Sequence, residues 1–164
     1  MIGAGSASAL SPFAILWPTF AMVALVFAVW LKLVAGRLRH IKANPPTRET
    51  FATGDDARRY FAPVQLPGDN LQNLFETPVL FFALVPLLLM FRQVTVAQLI
   101  LAWFFVAFRT GHSVIHVGSN AIKLRFLLYV ASVAVLSAMW VGFLVDSIAG
   151  ARLYAIHSTV MAQL

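Results

Sequence analysis

Between Phe13 and Val34 only Thr19 and Lys32 interrupt an apolar run of 22 residues. A helix of that length, rising about 1.5 Å per residue, crosses the ~30 Å hydrocarbon core of a bilayer. Three further runs of comparable length follow, about 69–91, 94–117 and 125–147. Charged residues make up 11% of the chain and hydrophobic ones 60%, whereas a soluble domain carries about a quarter charged. The mean hydropathy of +0.83 agrees. The spacing therefore predicts an all-α integral membrane protein, a four-helix bundle over residues 1–164 as one domain, with helices at about 13–35, 69–91, 94–117 and 125–147 and a loop at about 36–68. At 164 residues it is too short for a large transporter built from repeated halves. The sequence contains no cysteine, which excludes disulfides, thiolate metal sites and a cysteine nucleophile. Any thiol chemistry here needs a borrowed thiol.

Residues 1–12 lack the basic segment of a secretory signal, so a cleaved peptide is not expected. Trp17 and Trp30 suit interfacial anchoring. Pro78 and Pro86 within the second span predict bends, and Asp69 or Asn70 is read as its cap. The tail 151–164 either extends the fourth helix or lies at the interface.

The net charge of +6 is distributed in a way that encodes orientation rather than nucleic-acid binding. Lys32, Arg37, Arg39, Lys42, Arg48, Arg58 and Arg59 fall at the end of the first span or in the loop after it, and Lys123 and Arg125 fall in the third connection. The opposite side holds only Arg92 and Arg152. The loop and the third connection are thus expected in the cytoplasm, with both termini on the non-cytoplasmic side. No nucleic-acid partner is expected.

Ionisable groups within spans point to sites, because lipid offers them no partner. Asn70, Asn73 and Glu76 recur every third residue on the second span, and Arg109, His112 and His116 stand at i, i+3 and i+7 on the third. The pattern predicts that each set shares a helical face. Arg125 and Tyr129 lie one turn apart on the fourth. Taken singly, Glu76 and Arg109 form a buried ion pair, Arg37, Lys123 and Arg125 snorkel to headgroups, and Tyr129 is a belt aromatic. Taken together, the excess cations near Asn73 and His112 suit an anionic ligand. His112 and His116 have helical metal-pair spacing but lack the accompanying glutamate of zinc peptidases, and nearby arginines repel a cation, so no metal is expected. Ser113 beside His112 cannot form a dyad, since adjacent helical residues face apart.

Asn73-Leu-Phe-Glu76-Thr-Pro78 on the second span, Arg109-x-x-His112 on the third and Arg125-x-x-x-Tyr129 on the fourth, preceded by Arg37-Leu-Arg39 and Ala43-Asn44-Pro45, resemble the MAPEG family, the membrane-associated proteins of eicosanoid and glutathione metabolism. The spacing is closest to the microsomal prostaglandin E synthase pattern. It differs where that pattern has an arginine before the asparagine (Gln72), a tyrosine on the third helix (His116) and a serine beside the fourth-helix arginine (Phe126).

The resemblance implies a homotrimer binding glutathione between subunits, with Arg125 stabilising thiolate, and with Arg37, Asn73, Glu76, Arg109, His112, His116 and Tyr129 as cofactor-binding residues. A lipophilic small-molecule substrate would enter from the membrane lipid. Two functions stand open: a glutathione-dependent transferase or peroxidase, and a non-catalytic protein of the same fold that binds lipid or a partner protein. A channel is disfavoured by the apolar outer halves of the last three spans.

Overall fold

The computed structural model describes residues 11–161. Residues 1–10, most of the uncharged segment read as uncleaved, and residues 162–164 of the tail lie outside the described residues. Six α-helices follow in order: α1 (Leu16–Ala43), α2 (Gly54–Phe61), α3 (Leu66–Glu76), α4 (Pro78–Met90), α5 (Val96–Val117) and α6 (Ile122–Met161). Short 3₁₀ turns at Pro12–Ile15, Glu49–Phe51 and Ala62–Val64 join them. Four helical stretches, Pro12–Ala43, Leu66–Met90, Val96–Val117 and Ile122–Met161, are long and apolar enough to cross a membrane. The protein is an all-α, multi-pass integral membrane protein.

The helix ends differ from the sequence expectation for identifiable reasons. Nothing after Gly36 breaks α1 until Asn44-Pro45-Pro46, so the helix runs on to Ala43 instead of stopping near residue 35. The polar stretch that follows is folded rather than open. Thr53 caps α2 by accepting from the Asp56 amide, and the Tyr60 hydroxyl donates to the Asn44 carbonyl. His40, Phe51, Tyr60 and Phe61 form a cluster of ring contacts that ties α2 to the end of α1. Helix α3 starts at Leu66, with Pro67 in its first turn. Asn70 is therefore a buried residue within the helix, not its cap.

The second span breaks at Thr77, where Pro78 has no N–H to continue the ladder. Pro86, by contrast, sits within a continuous α4. Arg92 closes α4 at a φ of 55°. Its amide bonds back to Leu89 and the Gln93 amide to Leu88, the paired bonds of a Schellman end without its usual glycine. Helix α6 begins at Ile122 and continues well past residue 147, so the described part of the tail extends the fourth helix.

The most extensive interface is the α5–α6 hairpin, against which α1, α3 and α4 pack. In the apolar core Phe81 of α4 and Phe105 of α5 are both fully buried and stacked with centroids 4.9 Å apart. In lipid such contacts act through close packing, since the tails are as apolar as the core. The polar side chains gather instead toward the α3 end and the α5–α6 turn.

Candidate functional site

The last turns of α5 carry the centre of the polar zone. At about 100° per residue, offsets of three and seven keep Arg109, His112 and His116 within an arc of about 60°. All three are buried, Arg109 completely. The Arg109 guanidinium donates through Nη2 to the main-chain carbonyl of Asn73, in the last turn of α3 before the Thr77 break. Its Cζ lies 5.6 Å from the centre of the Tyr129 ring, a cation–π distance. Among the described residues, nothing partners the buried Nε and Nη1 of Arg109.

His112 links this group to the start of α6. Its Nδ1 is 2.9 Å from the Arg125 carbonyl oxygen. A carbonyl only accepts, so the bond fixes the proton on Nδ1. The His112 ring stands 5.9 Å from that of Tyr129 and 5.5 Å from that of His116, edge to face in the latter case. His112 Nε2 and His116 Nδ1 are likewise buried without a partner among the described residues.

The Arg125 side chain is half-buried, and its Nη1 donates to Asn120 Oδ1 at 2.8 Å. Asn120 ends the α5–α6 turn at a φ of 50°, a left-handed conformation that asparagine tolerates better than most residues. One residue thus closes the turn with its backbone and orients the arginine with its side chain. Behind the cluster, Ser113 donates to Asn70 Oδ1 at 3.2 Å, with both residues buried.

Six predicted residues come together in this way: Asn73, Arg109, His112, His116, Arg125 and Tyr129. Two do not join them. Arg37 places its guanidinium 4.8 Å from the Phe61 ring centre and donates to Gln65 Oε1 at 3.4 Å. With Arg58, Phe61, Gln65 and Gln72 it lines an open cavity of about 490 Å³. Glu76 is exposed on the surface of the protomer. Two steps of three residues carry it about 120° around the helix from Asn70. Asn70 is accordingly buried, Asn73 half-buried and Glu76 outside, so this set does not share one face. The buried Glu76–Arg109 ion pair is likewise not formed. Among the described residues the ion pairs are Arg58–Asp55 and Arg59–Asp56, both outside the spans.

Spacing did not single out Ser113, Asn120, Gln65 or Arg58 for the site. A buried serine opposite a buried asparagine, and an asparagine in a tight turn five residues before an arginine, are the signals that were available.

The sequence model of the MAPEG family matches residues 15–145, most of the chain and all of the cluster just described. The chain belongs to the MAPEG family. Comparison with curated proteins and with solved structures gave no match. MAPEG proteins generally use glutathione, and membership places this chain among membrane proteins of glutathione and eicosanoid metabolism. In this MAPEG protein buried or half-buried cationic donors outnumber carboxylates in the cluster, an arrangement that suits an anionic group.

Proposed function

We propose that this protein is a membrane-bound, glutathione-dependent transferase or peroxidase acting on lipophilic electrophiles, assembled as a homotrimer. The observation that carries this reading is the buried α5 face, where Arg109, His112 and His116 hold unpartnered polar atoms beside the bonded pair Arg125–Asn120. Unpartnered polar atoms inside a membrane protein are costly unless a ligand or neighbouring subunit satisfies them.

The donor set fits glutathione. Arg37 and Arg58 face one cavity and suit its carboxylates. Glu76, exposed on the protomer, suits its ammonium from a neighbouring subunit, and Asn73 and Tyr129 suit the peptide portion. When bound, glutathione supplies the thiol that a cysteine-free chain lacks. Arg125 is the cation that would favour thiolate over thiol, because a fixed positive charge in a poorly solvated site stabilises the anion. Asn120 holds that guanidinium in place, and the α5–α6 turn would lie near the cytoplasmic face.

Prostaglandin chemistry, which the resemblance to the prostaglandin E synthase pattern would suggest, is not part of the proposal. Gln72, His116 and Phe126 replace an arginine, a tyrosine and a serine of that pattern. Phe126, largely exposed and without a donor, leaves Arg125 to act alone. The same residue favours the second reading, a non-catalytic MAPEG protein whose polar zone binds lipid or a partner protein.

Glutathione titrated calorimetrically into detergent-purified protein separates the two. The transferase reading expects binding at or below millimolar concentration, loss in Arg125→Ala, and about tenfold tighter binding in Gln72→Arg through one added charge-assisted hydrogen bond. No binding at millimolar glutathione, unrestored by Gln72→Arg, would overturn it.

A further inference from the structure

On a different face of α1 from Arg37, two cavities meet along the seam with α5. The first, about 470 Å³, is bordered by Lys32, Gly36 and Arg39 and by the turn leading into α3. The second, about 210 Å³, continues between α1 and α5 past Ala28 and Val114 to Leu25. Lys32 and Val117 line both. The resulting groove follows α1 from Leu25 to Arg39, fourteen residues or about 21 Å of helix. One leaflet, half of a bilayer that is about 40–45 Å thick with its headgroups, has the same depth.

The chemistry is graded along that length. The Leu25 end is apolar, Lys32 stands midway where the two cavities meet, and Arg39 stands at the far end. Lys32 and Arg39 are seven residues apart, so they share a face with about 10 Å of rise between them and Gly36 in the gap. No carboxylate lines either cavity, and neither cation forms an ion pair among the described residues. A cation that merely snorkels needs no cavity beneath it. Here the cations border a recess that continues into an apolar slot of acyl-chain character.

We infer that the α1–α5 groove is a binding site for an acidic phospholipid, with an acyl chain between α1 and α5 and the headgroup phosphate held by Lys32 and Arg39. The site is independent of the glutathione reading, since none of the residues proposed to bind glutathione lines it. Its inner end does touch Ser113, the partner of Asn70. An occupied groove therefore abuts the rear of the α5 polar face.

Gly36 provides a direct test. A Cβ built there meets no atom within 4 Å, and leucine is a better helix former than glycine. Gly36→Leu should therefore fill the recess in a folded chain. Native mass spectrometry of the detergent-solubilised full chain would count dioleoylphosphatidylglycerol and dioleoylphosphatidylcholine retained in competition, with circular dichroism confirming helicity of each variant. The wild type should retain the acidic lipid more than tenfold over the zwitterionic one. Lys32→Gln and Arg39→Gln should each reduce that preference about fivefold, and Gly36→Leu should reduce retention of both lipids. Equal retention of the two lipids by the wild type, or an unchanged preference in the Lys32→Gln/Arg39→Gln double variant, would overturn the proposal. So would displacement of the phosphatidylglycerol by equimolar oleate, which would assign the groove to a free fatty acid.

Discussion

His112 donates through Nδ1 to the main-chain carbonyl of Arg125 at 2.9 Å, across the turn that joins α5 to α6. The histidine thereby fixes the backbone of the residue whose side chain is proposed to act on sulfur. Asparagine places an N–H donor near the position of Nδ1, whereas alanine does not. His112→Ala should lose about 1 kcal/mol, seen as a melting temperature lower by about 2–4 °C, together with weaker glutathione binding. His112→Asn should recover most of both. Equal behaviour of the two variants would show that the ring acts by bulk and not through this bond.

Asn120 has two separable roles. Its φ of 50° closes the turn, and its Oδ1 accepts from Arg125 Nη1 at 2.8 Å. Glycine keeps the left-handed backbone and removes the acceptor. Alanine removes the acceptor and adds about 1–2 kcal/mol of backbone strain. Asn120→Gly should therefore melt near the wild type while its kcat/KM toward a model electrophile falls about tenfold. Asn120→Ala should lose stability as well, and Arg125→Ala should retain the fold while activity falls at least a hundredfold. Full activity in Asn120→Gly would remove Asn120 from any part in positioning the arginine.

Glu76 and Arg109 should behave differently when neutralised, because one is exposed and the other is fully buried on separate contacts. Arg109→Met removes the donor to the Asn73 carbonyl and the contact with Tyr129, and should destabilise the protomer by about 2 kcal/mol. Glu76→Gln should leave protomer stability unchanged and lower the fraction of trimer, read by light scattering in detergent. Equal melting losses in the two variants would indicate that they act as a pair after all.

These differences also mark how much of the molecule is legible in its residues. The four spans follow from hydropathy alone, because only a helix satisfies its own backbone in lipid. The ends of α1 and α6 do not, since Gly36 and Gly150 are weak breakers and the neighbouring helix-compatible sequence carries each helix onward. The α5 face was visible because offsets of three and seven almost close two turns. On α3 two steps of three residues drift by a third of a turn, and Glu76 ends outside. The position of Arg37 depended on α2, whose contacts run from Tyr60 to Asn44 and from Phe61 to the guanidinium itself. No local pattern encodes such long-range pairings.

Orientation can be tested without a mutated background, because the native sequence contains no cysteine. Seven cations lie between Lys32 and Arg59, with Lys123 and Arg125 at the α5–α6 turn, against Arg92 and Arg152 on the other side. The positive-inside bias acts through such flanking segments. Thr47, Ser119 and Ser158 are all exposed, so single cysteines there should react with a membrane-impermeant maleimide whenever their side is accessible. In intact cells Ser158→Cys should label, while Thr47→Cys and Ser119→Cys should label only after permeabilisation. The reverse pattern would invert the protein in the bilayer. It would place Arg125 and its neighbours on the non-cytoplasmic side, away from the cytosolic glutathione pool that the proposed function requires.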